Sequence, residues 1–491
     1  MSLGSIPNDI RVPLCYIEID NSDAVSGTPA KPSKILVLGQ QLAGGSATPL
    51  TLNRITSDSQ PGSLYGKGSM LAGMLASLRK ANSYTETWAL GISDLVAGAA
   101  ASAEISVTGT ASEAGTLYLL VAGEQVQVGV TATMTAAALT TAIIVAINAT
   151  LTLPVTAALK EGTTTTVVLT AKHKGTTGND LDTRINYYTG EATPAGLAIT
   201  ISAFTGGSGT PDMSAVLAAI PDEWYTYIVM PFNDTASMNT LRDELVERWG
   251  PLKMIEGIAF TAYRGTHAAT GSYGESRNDY LFSCIGTNKS PQPTWMWAAN
   301  YAGISSYYLD IDPARPLQTL VLPGILPAAK SARWDMTERN LLLHDGIATH
   351  YVNASDECAI EREISMYRVN SFGDSDPSYL DITTPATLGY IRYSIKTRIS
   401  QRYPRHKLAD DDVLDIIDPS QPIVTPKLMR QTLLDLALEW ERDGLIEGFD
   451  TYKDTLNVYR DTSDRNRLNV VCHPDIVNQL RIFASLIQFK L

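Results

Sequence analysis

The chain of 491 residues is 44% hydrophobic and 18% charged, a balance that excludes a protein disordered throughout. With 51 acidic against 38 basic residues its formal net charge is −13, which argues against direct nucleic-acid binding. No apolar run reaches the roughly 18 residues that a membrane-spanning helix needs, so no membrane insertion is expected.

Near the N-terminal end, Ile10-Arg-Val-Pro-Leu-Cys-Tyr-Ile-Glu-Ile-Asp20 alternates like a strand, with Ile10, Val12, Leu14 and Tyr16 in one register. Pro13 cannot donate a ladder hydrogen bond, which points to an edge strand or an extended arm. Residues 21–34 supply Ser, Gly, Thr and two prolines, the composition of a flexible leash. Ile35-Leu-Val-Leu38 is wholly apolar, as in a strand buried in a parallel sheet. Residues 50–55 offer another strand, residues 68–80 a helix with Ser69 as N-cap, and residues 86–92 a strand.

From about residue 96 to 208 Thr, Ala, Gly and Val dominate and charges thin out. Runs at 116–121, 125–130, 163–171 and 198–204 read as strands bounded by Gly, and 135–149 as a helix. The region reads as a mainly β domain inserted into the α/β domain, with Gly98 and Gly206-Gly-Ser-Gly209 at its borders. The α/β pattern then resumes with a helix over 212–220, a strand over 224–230 and a helix over 235–249 that Asp234 caps. Strands over 257–262 and 280–285 and a helix over 293–306 complete an alternation that predicts parallel βαβ units.

A third region begins near residue 335 with a helix to 344, strands at 347–353 and 360–369, and a helix over 385–401. The clearest helix spans 426–442. Pro426 starts it, Gly444 follows its end, and Leu428, Leu433, Leu434, Leu436, Ala437 and Trp440 form an apolar stripe. Strands are expected at 455–460 and 468–472. The last stretch is apolar in both alternating registers: Leu480, Ile482, Ala484 and Leu486 in one, Phe483, Ile487, Phe489 and Leu491 in the other. Such a run suits a strand covered on both faces, and at a chain end it needs a partner, a role that another copy of the protein would fill.

The expected fold class is therefore α/β with an inserted mainly β domain and an α+β C-terminal domain, completed by extended arms at both ends. Its parts are an arm and leash (1–34), a discontinuous α/β core (35–95 and 209–334), the insertion (96–208) and the C-terminal domain (335–491).

No stretch carries a complete chemical motif. Gly62-Ser-Leu-Tyr-Gly66-Lys67-Gly-Ser69 approaches a phosphate loop, but three residues rather than four separate the glycines and Gly68 intrudes before Ser69. It reads as a Gly-rich start to a helix. Arg264-Gly-Thr-His267-Ala-Ala-Thr-Gly271 is similar to the histidine motif of subtilisin-type proteases. The Asp motif is missing, however, and the nearest nucleophile-like string, Gly286-Thr287-Asn288, carries Asn in place of Ser. A hydrolase of that fold is the disfavoured alternative.

The six histidines have no metal-ligand spacing, so each reads as a loop or surface residue. Asp410-Asp-Asp412 lacks the spacing and Gly of a calcium loop. No cofactor or metal is expected. Cys15, Cys284, Cys358 and Cys472 are scattered, as for reduced and mostly buried thiols in a chain folded in a cytoplasm, and residues 1–10 lack the pattern of a secretion signal. One charge feature stands out: Arg392, Lys396, Arg398, Arg402, Arg405 and Lys407 fall in a stretch without an acid. This is a solvated helix face, or it docks an acidic protein partner, with nucleic acid a weaker third choice.

Three strings together resemble the tail sheath proteins of contractile-tailed phages, in the Mu-like branch. They are Ile6-Pro7 with Ile10 to Ser22, Tyr65-Gly-Lys-Gly-Ser-Met-Leu-Ala72, and Pro474-Asp-Ile-Val-Asn-Gln-Leu-Arg-Ile-Phe-Ala-Ser-Leu-Ile-Gln-Phe-Lys-Leu491. The resemblance implies a structural protein, not an enzyme, that polymerises as stacked hexameric rings around a tail tube. Contraction of the polymer drives the tube through the host envelope. It also implies a subtilisin-like core without chemistry, baseplate and tail terminator partners, and assembly in the host cytoplasm into a virion tail. The sheath of a tail-like bacteriocin or injection system is the alternative. On the same resemblance, Ile10, Val12, Leu14, Tyr16, Ile482, Phe483, Leu486, Ile487 and Phe489 belong to strands that link subunits. Arg392, Lys396, Arg398, Arg402 and Arg405 are candidates for tube contact.

Overall fold

A computed structural model describes residues 28–413 and 421–490. The first arm, including Ile10, Val12, Leu14 and Tyr16, lies outside the described residues. The chain groups into two compact units: a larger one from Pro32–Gly389 with the C-terminal segment from Asn478, and a smaller one centred on Tyr390–Val477.

The larger unit opens with strands β1 (Lys34–Gln40) and β2 (Leu52–Ile55), helices α1 (Gln60–Tyr65) and α2 (Met70–Ala81), and β3 (Glu86–Ile92). There follow β4 (Ala100–Gly109), β5 (Gly115–Val121), β6 (Glu124–Val130), α3 (Ala136–Ala149), β7 (Val155–Leu159), β8 (Thr166–Lys174), β9 (Thr183–Ile185) and β10 (Leu197–Ile201). The chain then returns as α4 (Met213–Ala218), β11 (Tyr227–Val229), α5 (Thr235–Trp249), β12 (Ile258–Tyr263), α6 (His267–Glu275), β13 (Phe282–Gly286) and α7 (Thr294–Ile311). Helix α8 (Met336–His344) and the hairpin β14 (Thr349–Val352) and β15 (Cys358–Arg362) precede α9 (Thr383–Arg402), inside which the boundary between the units falls.

Six strands form the central sheet in the order β13-β12-β11-β1-β3-β2, all parallel except the edge strand β2. Ile35, Leu36, Val37 and Leu38 are fully buried at its centre, as a wholly apolar strand requires. Ser69 caps α2 by accepting from the Ala72 N–H at 3.1 Å, as its position before an apolar run predicts. Helix α7 shows no polar stripe because nearly every face of it is buried. At Gly303 an added Cβ would fall 2.8 Å from the Ala81 Cβ, so the small residue sets how closely α7 and α2 approach.

Strands β4–β10 form two antiparallel sheets, β10-β4-β8-β7 and β6-β5-β9, with α3 packed against them. This block meets the central sheet at the carboxyl ends of β1 and β3. There Asp94 accepts from Gln40 Nε2 (2.8 Å) and from the Lys174 N–H (2.9 Å), and it pairs with His173 Nδ1 (2.8 Å). The Nε2 of His173 in turn accepts from the Met70 N–H at 3.1 Å. Open α/β sheets usually hold ligands at their carboxyl ends. Here that end carries a knot of protein hydrogen bonds instead.

In the smaller unit α9 packs on α10 (Pro426–Arg442), followed by α11 (Phe449–Thr455). Two-residue pairings join β16 (Lys407–Leu408) to β17 (Ile423–Val424) and β18 (Ile446–Glu447) to β21 (Asp475–Ile476). Strands β19 (Asn457–Arg460) and β20 (Leu468–Val471) make a hairpin. The predicted stripe of α10 is buried except at Leu428, which remains 39% exposed. Trp440 anchors the helix pair, its indole N–H donating to Ser394 Oγ at 2.9 Å.

Candidate assembly interface

The C-terminal segment is the part of the described chain that its own fold leaves least covered. Among the described residues no strand forms after β21: residues 478–490 belong to no ladder. The expectation of a strand with two covered faces is therefore not met within one chain. Leu480, Ile482, Phe483, Leu486, Ile487 and Phe489 are 73–85% exposed. Burying six such side chains would yield on the order of 10 kcal/mol. Fixing the backbone costs roughly 1–2 kcal/mol per residue, so apolar burial alone leaves little surplus. Ladder hydrogen bonds to a partner sheet are needed as well.

The root of the segment is held firmly. Arg481 donates through Nη1 to Glu363 (3.1 Å) and through Nη2 to Asp381 (3.1 Å) and to the second Glu363 oxygen. Glu363 is completely buried and also accepts from the Leu317 N–H. Arg362 forks onto both oxygens of Asp381 at 3.0 Å. Gln479 Nε2 donates to the Ala314 carbonyl (2.8 Å) and to Thr383 Oγ1 (2.6 Å).

The β19–β20 hairpin is a second unsatisfied surface. Its strands pair only with each other among the described residues, and Tyr459, Val470 and Val471 stand 42–46% exposed. Two-stranded ribbons are marginal alone and offer open edges.

The basic stretch divides into paired and exposed residues. Arg398 is mostly buried and fixed to both carboxylate oxygens of Glu439, so it is a structural pair rather than a free docking charge. Arg392 is half-buried, whereas Lys396, Arg402 and Arg405 are exposed.

The chemical decoys resolve as structure. Thr266 caps α6 and His267 Nε2 meets the Glu338 carbonyl at 2.9 Å. Asn288 is buried and its amide donates to the Ala332 carbonyl, which leaves no nucleophile for a proton relay. In the Gly-rich string, a Cβ at Gly68 would meet Leu153 O at 2.3 Å, so the loop is a close contact with the β-rich block. Asp410 pairs with Arg460 and Arg465, and the described residues contain no cluster able to hold a metal ion. Two histidines depart from the surface reading. His173 lies in the knot described above, and His350 is buried with its pKa pushed down to about 4 by that burial. Cys284 and Cys358 are buried free thiols, the latter pushed up to about 12 by burial, and Cys472 is half-buried. Cys15 lies outside the described residues.

The family model for the phage tail sheath protein beta-sandwich domain matches residues 96–207, that for the central domain 206–366, and that for the C-terminal domain 374–490. The chain is 47% identical over 491 residues to the Mu-like prophage FluMu tail sheath protein of Haemophilus influenzae, covering 100% of both chains. The chain belongs to the phage tail sheath family. As a tail sheath protein of a phage or phage-like particle it is a structural component and not an enzyme. Among solved structures it is similar to a sheath tail protein of Desulfitobacterium hafniense, at 13% identity and TM-score 0.48, covering 94% of this chain and 100% of that one. A sheath tail protein of Listeria innocua gives 11% identity and TM-score 0.49, with 92% and 93% covered.

Proposed function

We propose that this sheath protein polymerises as stacked hexameric rings around a tail tube and contracts to drive the tube through the host envelope. The observation that carries the reading is the C-terminal segment, anchored at Arg481 and apolar and unpartnered from Ile482 to Phe489. Added to the open hairpin β19–β20 of another copy, that segment would gain main-chain hydrogen bonds and cover its side chains. The arm containing Ile10, Val12, Leu14 and Tyr16 would act in the same way on a second neighbour, and residues 21–34 would be its leash. Links of this kind persist while the globular parts turn as rigid bodies, so contraction would release energy held in a metastable packing without a nucleotide.

On the same reading Arg392, Lys396, Arg402 and Arg405 face the tube, residues 96–208 form an outward-facing domain, and the polymer meets baseplate and terminator proteins at its ends. Assembly would take place in the host cytoplasm. The relation of the core to the subtilisin fold belongs to the proposal too. It is supported by the parallel sheet and by His267 at the start of the helix after β12. Electron microscopy of the purified chain tests the whole reading: tubes or rings are expected, and monomers alone at every concentration would overturn it.

A further inference from the structure

We infer that Arg481 is a positioning residue that divides the C-terminal arm into a fixed root and a donated tip. The inference rests on the strand-linkage reading above and adds the point at which pull on the arm enters the fold. Three observations converge on residue 481. The chain leaves the smaller unit after Val477, whose N–H donates to the Leu445 carbonyl, and from Asn478 onward belongs to the larger unit. Gln479 and Arg481 then bond through their side chains to that larger unit, at Ala314, Thr383, Gln318, Glu363 and Asp381. From Ile482 onward the large apolar side chains are about four-fifths exposed. The change from held to unheld occurs across one peptide bond.

The chemistry at that point suits an anchor under tension. A fully buried carboxylate must have a partner, and Glu363 finds it in a guanidinium that also reaches Asp381. Arg presents a planar fork, so several hydrogen bonds fix its direction as well as its position; Lys at the same place would keep the charge and lose the fork. A neighbour that holds residues 482–490 would therefore pull on the segment around Asp381 and Glu363, next to the hairpin β14–β15, and not on the smaller unit from which the arm emerges in sequence.

The test uses trypsin on the full, unpolymerised chain, with the C-terminal peptides followed by mass spectrometry. Arg481 is a cleavage site, a second one is placed in the tip by Ser485→Lys, and cleavage at a held site must wait for local opening. Cleavage after Arg481 is expected to be at least ~10-fold slower than after residue 485 in the Ser485→Lys chain. Arg481→Lys should speed cleavage after residue 481 several-fold with the unfolding midpoint of the core unchanged; Asp381→Asn should speed it as well, and should lower that midpoint because it also takes the counter-charge from Arg362. Polymer made from the Arg481→Lys chain should also come apart at lower urea than the unaltered polymer. Equal cleavage rates at the two sites, or unchanged urea resistance of the Arg481→Lys polymer, would overturn the inference. The cleavage assay needs no polymer, so its failure is separate from failure of strand linkage, which truncation of the tip reads.

Discussion

Arg398 donates to both carboxylate oxygens of Glu439, at 2.8 and 2.7 Å, and so fastens α9 to α10. With both partners mostly covered, removal of one leaves the other without its counter-charge. Arg398→Ala should destabilise the smaller unit by roughly 1–3 kcal/mol in urea titration, less than for a fully buried pair. Arg402→Glu should stay within ~0.5 kcal/mol of the parent, as expected for an exposed position.

The same distinction narrows the proposed tube contact to exposed residues. Arg402→Glu combined with Arg405→Glu should weaken co-sedimentation with purified tube while tube-free polymer still forms. Unchanged co-sedimentation would return these residues to a solvated face.

Much of this division was not legible in sequence. Six basic residues in an acid-free stretch say nothing about Glu439, which lies 41 positions after Arg398 and supplies the missing charge only once α9 and α10 pack. Elements with a clear period or cap were legible: β1 from its apolar run, α2 from Ser69, α10 from Pro426 and its stripe. Helix α6 was not, because Gly271 and Gly274 weaken its pattern. Both glycines are needed where the helix approaches Asp345, whose carboxylate and carbonyl oxygens would lie 2.6 and 2.2 Å from an added Cβ. The strand expected over 360–369 stops at Arg362, because beyond it the backbone bonds to scattered partners: Ser365 to Leu380 and Met366 to Phe282. His173 looked like a surface residue because its partners Asp94 and Met70 come from distant parts of the chain.

The hairpin makes its own prediction. Tyr459→Lys and Val471→Lys place charges on an exposed ribbon that the account assigns to an incoming strand. The double variant should keep its thermal unfolding midpoint and lose most polymerisation, measured by light scattering and sedimentation. Full polymerisation would remove the hairpin as acceptor.

Acidity should act at Asp180, which accepts from Thr294 Oγ1 at 3.1 Å. Burial pushes its pKa up from 3.8 to about 6, with the Thr294 hydroxyl and Arg264 opposing the rise. The folded chain thus keeps this proton to a higher pH than the unfolded chain does. Its contribution to stability falls as pH rises from about 4 to 6 and is constant above that range. The side chain is half-buried and solvent screens part of the cost of ionising it, so the penalty at neutral pH is ~1–2 kcal/mol. Asp180→Asn should raise the melting temperature at pH 7.5 and flatten its change between pH 4 and 6.

The central claim is that the last residues link one copy to the next. It is tested most directly by deleting residues 482–491, which leaves the Arg481 anchor in place, and imaging the purified chain by electron microscopy at concentrations where the full chain polymerises. The account predicts a folded monomer with unchanged circular dichroism and no tubes. Normal tubes from the truncated chain would contradict it.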